Sequence, residues 1–69
     1  MNKKIIQRIA KVLKDTKQVA LNSYEGYELL TANEILMWLE HGFMAELLKD
    51  HDIQTVQTFQ QACSLDDES

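Results

Sequence analysis

Apolar residues recur through the first third of the chain at the three- and four-residue steps of a helix. At roughly 100° per residue, Ile5, Ile6, Ile9, Val12, Leu13, Thr16, Val19 and Ala20 fall on one side, while Lys3, Lys4, Gln7, Arg8, Lys11, Lys14, Lys17 and Gln18 collect on the other. The spacing predicts an amphipathic helix over 3–21. Asn2 suits its N-cap, because a side-chain oxygen there can accept from an amide of the first turn that has no partner within the helix. A second apolar series follows a polar stretch: Ile35, Leu36, Leu39, Phe43 and Leu47 form a stripe, and Met37, Trp38, Met44 and Leu48 widen it almost all the way round. Thr31 and Glu34 have the spacing of a capping box, in which the threonine hydroxyl and the glutamate each accept from the other's backbone N–H. The second helix is therefore predicted over 31–50, as the hub of the fold, covered on several sides. Ile53, Val56, Phe59 and Cys63 then line one side of a shorter helix over 53–64, capped by Asp52 or Gln54.

Two stretches admit other readings. Residues 22–30 contain Asn22, Ser23 and Gly26, the chemistry of a connector, but alternation of Val19 with Leu21 and of Tyr27 with Leu29 also fits a short hairpin near 18–30, which would make the fold α+β. A lone hairpin is marginal, and the helical stripe already accounts for Val19. Gly42 suits either a helix stop or a continuous helix. In the second case it costs about 1 kcal/mol against alanine, and the usual compensation is close approach of another backbone. The expected architecture is all-α: a compact three-helix bundle forming a single domain over 1–69, with 64–69 as a frayed acidic tail.

Composition sharpens this picture. Proline is absent and glycine occurs only twice, so the strongest backbone punctuators are nearly missing, which favours helices over a turn-rich sheet. With 45% apolar and 26% charged residues of both signs, the chain has the material of a globule rather than of a disordered tail. Chains of this size commonly reach only about 3 to 5 kcal/mol of net stability, so a dimer or a partner would help. A single cysteine, no signal-peptide core and no run of about 18 apolar residues give a cytoplasmic expectation with no membrane association.

Charge divides the chain in two. Residues 1–23 hold six cations against Asp15, a net of +5, whereas the remainder holds ten acids against Lys49, a net of −9.

The residues that carry chemistry do not assemble into a motif. His41 and His51 lie ten positions apart, the spacing of neither a helical metal pair nor a finger, and Asp50 and Asp52 beside His51 fit a solvated helix end. Cys63 has no Lys, Arg or His near it in sequence to activate it, and its place on the apolar side makes it a core residue. Carboxylate pairs such as Glu25 with Glu28 or Glu34 with Glu40 look solvated, and two glycines sixteen positions apart cannot form a phosphate loop. The expectation is a non-enzymatic chain with no catalytic residue, cofactor, metal or small-molecule substrate.

Two surfaces remain as binding candidates. Met37, Trp38, Met44 and Phe59 supply more large apolar surface than one inward stripe can hide, and the third helix turns uncharged glutamine and threonine outward, as the buried part of an interface does. This points to a protein-interaction module, a regulator or adaptor, binding a protein partner or itself as a homodimer. The alternative is a nucleic-acid-associated regulator using the basic face of Lys4, Arg8, Lys11 and Lys14, or an inhibitor whose acidic part imitates a polyanion towards a DNA-binding protein. The cationic side offers no aromatic residue for stacking on bases, and a helix-turn-helix about Gly42 would place more acid than base on its recognition segment.

Overall fold

The computed structural model describes residues 2–65 and contains three helices, α1 (Lys3–Ser23), α2 (Gly26–Asp50) and α3 (Ile53–Ala62), each packed against both others. This is the all-α three-helix bundle that the periodicity predicts, with no strand among the described residues. The acidic tail expected over 64–69 lies, from residue 66 on, outside them.

The hairpin alternative over 18–30 is overturned, because Val19 and Leu21 lie inside α1 and Tyr27 and Leu29 inside α2. The connector shrinks to Tyr24 and Glu25, both extended, and the chain reverses through Gly26 at φ 61°, a left-handed conformation that costs a residue with a Cβ about 1 to 2 kcal/mol. That reversal starts α2 five residues earlier than the capping box suggests. Thr31 consequently sits within the helix, its hydroxyl donating 3.0 Å to the Tyr27 carbonyl, and the cap position falls to Glu25, which makes no side-chain cap bond. The other two caps form as expected. Asn2 Oδ1 accepts from the Lys4 amide at 2.7 Å, and Asp52 Oδ1 accepts from both the amide and the hydroxyl of Thr55, at 2.9 and 2.8 Å.

These contacts to the ionised form hold the Asp52 carboxyl below its ordinary 3.8, the Thr55 amide contributing most. A depressed carboxyl stabilises the fold above its unfolded pKa and loses that contribution as pH falls through the folded value. Thermal melts from pH 6 to pH 2 should therefore show Asp52→Asn less stable than the parent near neutrality, and the two converging below about pH 3.8.

Helix α2 runs unbroken through Gly42, around which an added Cβ would meet nothing within 4 Å. The expected close approach of another backbone is thus absent, and glycine there carries its helix cost without compensation. Gly42→Ala should raise stability by about 1 kcal/mol in urea unfolding.

The core comprises Ile6, Ala10, Leu13 and Ala20 of α1, Leu36 and Leu47 of α2, and Val56, Phe59 and Cys63 at the end of the chain, with Ile9, Leu29, Ala32, Phe43 and Met44 packed on it. The Phe43 and Phe59 rings meet at 6.3 Å, tilted by 56°, within the range of favourable aromatic pairs. The centre of the fold differs from expectation. Only two of the 25 residues of α2 are buried, fewer than α1 contributes, so the most apolar helix is the least covered rather than the hub. Neighbours of 21 and 10 residues cover one side of this 25-residue helix.

Candidate functional site

The residues with interaction potential separate into a polar clasp inside the bundle and an apolar face outside it. The clasp is centred on Lys17. Its periodicity assigns it to the cationic outer side of α1, but the structure turns it inward at the edge of that side, where its ammonium donates to Glu40 Oε1 of α2 and, at 3.0 Å, to the carbonyl of Cys63 at the end of α3. The Lys17 and Glu40 side chains are only 18% and 13% exposed, and one cation thereby ties all three helices together. The Cys63 carbonyl is one of the acceptors that a helix leaves without a partner at its C-terminus, where a cation is favoured. No buried side-chain polar atom among the described residues lacks a partner.

Cys63 is fully buried beside this pair, its thiol donating to the Phe59 carbonyl at 3.2 Å. Burial pushes the thiol upward, the Glu40 charge adds to the rise, and Lys17 opposes it. Such a thiol is held protonated and inaccessible, a structural rather than nucleophilic arrangement. Among the described residues no group of His, Cys, Asp and Glu is placed to hold a metal ion, and no helix is long and apolar enough to cross a membrane.

The four apolar residues singled out from the sequence do not share a surface. Phe59 is 2% exposed, and Met44 is half-buried against the core, so Phe59 is corrected from a contact residue to a core residue: its side of α3 is the side that faces the other two helices. Met37 and Trp38 do stand outside, the indole 71% exposed. Around them the structure adds residues that periodicity placed in the interior. Ile35, Trp38 and Leu39 line a shallow depression with Glu34, and Leu39 continues into an open groove between α1 and α2 lined by Ile5, Ile9, Val12 and Phe43. Ile5, Val12 and Val19 are exposed on the flank of α1 that borders this groove. The signal for this face was present in the breadth of the two apolar stripes, which exceeds what a single contact between two helices can cover.

Charges are spread unequally over the two helices. Arg8 lines the groove on the α1 side, with Lys4 and Lys11 exposed one turn away and Lys14 half-buried. Lys11 pairs with Asp15 at 3.3 Å on the open surface, which contributes little to stability. On α2, Glu28, Glu34 and Glu46 are exposed, the last 3.1 Å from Lys49. Compared with known proteins, the chain matches no family model, no curated protein and no solved structure.

Proposed function

We propose that the chain is a non-enzymatic protein-interaction module, a regulator or adaptor, whose contact surface is the outer face of α2 together with the groove that α2 forms with α1. The observation that carries this reading is the exposure of Trp38 beside Ile35, Leu39 and Met37 on a helix with apolar residues on every side. Thirteen large apolar side chains are exposed among the described residues, against a nine-residue core in which two members are alanines. Aromatic and methionine side chains in a continuous patch are also the residues that dominate binding energy when covered.

The basic face supports the nucleic-acid reading less well. Lys17 is withdrawn into the clasp, Lys11 is paired with Asp15, and α2 exposes the acids Glu28, Glu34 and Glu46.

The reading separates contact from stability. Trp38→Glu should leave the unfolding free energy within about 0.5 kcal/mol of the parent, since the indole contributes little to the core. The same substitution should abolish binding of whatever the surface holds, measured as loss of complex in sedimentation or calorimetry. A Trp38 that acrylamide cannot quench in the isolated, monomeric chain would overturn the proposal.

A further inference from the structure

We infer that the Lys17–Glu40–Cys63 clasp is a rotational lock on α2: it selects which of two apolar sides the helix buries, and so keeps Ile35 and Leu39 outside. The inference stands whatever those residues bind. Of the residues that α2 turns away from solvent, Glu40 is the only polar one. The stripe that the sequence pattern selects is a different one, Ile35, Leu36, Leu39, Phe43 and Leu47. The two orientations share Leu36, Phe43 and Leu47. They differ by a turn of the helix about its own axis of roughly 50°, half the step between consecutive residues, which brings Ile35 and Leu39 in and takes Glu40 and Met44 out.

Apolar burial by itself favours the turned orientation, because it replaces a carboxylate and a thioether in the interior by two aliphatic side chains. The helix adopts the other one: Leu39 is 49% exposed, and the side chain of Glu40 next to it 13%. What distinguishes the adopted orientation is the clasp. With α2 turned, Glu40 swings away from Lys17 and leaves a largely buried ammonium without its carboxylate. The apolar pattern cannot make this choice, since Tyr27, Leu30, Met37, Trp38 and Leu48 spread further apolar surface round the helix. A buried ion pair adds little net stability compared with apolar residues of similar size, but it is satisfied in few geometries, and a single buried polar contact can fix the register of packed helices. Because Lys17 also holds the Cys63 carbonyl, one contact orients α2 against both α1 and the end of α3.

Replacing the clasp by apolar groups separates orientation from stability. In the double variant Lys17→Met with Glu40→Leu, both orientations of α2 bury only apolar residues, and nothing polar is left to choose between them. Trp38, the one tryptophan, lies beside Ile35 and Leu39 and reports which orientation is present. Its indole N–H should give a single resonance in the parent. In the double variant it should give two, or one broadened by exchange, in proportions independent of protein concentration, while far-UV circular dichroism stays helical. Leu39→Ala should leave the urea midpoint of the parent nearly unchanged and lower that of the double variant. Adding Leu39→Glu to the double variant forbids the turned state and should restore one resonance at the parent position. A double variant with one sharp Trp38 resonance at the parent position, no more sensitive to Leu39→Ala than the parent, would overturn the inference. So would heterogeneity that Leu39→Glu does not remove, proportions that follow concentration, or a double variant that fails to fold, which would show that α2 has no second packing to adopt.

Discussion

Removing the Lys17 ammonium should destabilise the bundle by about 3 to 5 kcal/mol, close to the whole stability of a chain this small. The reason is the partner rather than the lysine. In Lys17→Met the Glu40 carboxylate stays 13% exposed with its cation gone, and the Cys63 carbonyl loses its donor. A buried ion pair contributes little net stability when both members are present, because desolvation offsets most of the attraction, but half a pair leaves that cost uncompensated. The double variant Lys17→Met with Glu40→Leu should therefore recover most of the loss, falling within about 1 kcal/mol of the parent despite carrying two changes. Urea unfolding of the two single variants and the double closes the cycle. Additive losses would show that the clasp does not act as a unit.

Phe59→Ala should be comparably severe, at about 3 to 5 kcal/mol, and should leave the chain largely unfolded at 25 °C. The ring is among the largest fully buried side chains, touches Phe43 across the interface with α2, and sits where all three helices converge. A bundle with so few large core residues cannot collapse around the space an absent phenyl ring leaves. Far-UV circular dichroism should report the loss of helix directly. The contrast with Trp38→Glu is informative: two aromatic residues predicted as one contact surface should differ by several kcal/mol in their effect on folding, because one is inside the bundle and the other outside it.

Local chemistry wrote much of this fold into the sequence. The number of helices, the approximate extent of α1 and α3, and the caps at Asn2 and Asp52 follow from residue spacing and from side chains that act on neighbours within one turn. The start of α2 did not follow, since Thr31 and Glu34 have the right spacing for a cap while the actual reversal depends on Gly26 adopting a positive φ. A capping box shows where a helix could begin; the packing of Leu29 and Ala32 onto the core extends α2 back beyond it.

The candidate surface was legible only in part. Periodicity finds every apolar residue that could be buried and cannot say which of them have a neighbour to bury them. That is why Phe59 and Trp38 looked alike, and why Ile5, Val12, Ile35 and Leu39 seemed interior. The sequence by itself determined three helices, two of them amphipathic and the middle one apolar almost all round, and the opposed charges of α1 and the rest. Tertiary structure decided which side of α2 stays uncovered and which cation turns inward, because both depend on how helices distant in sequence cross. Lys17 meets Glu40 and Cys63 from 23 and 46 residues away.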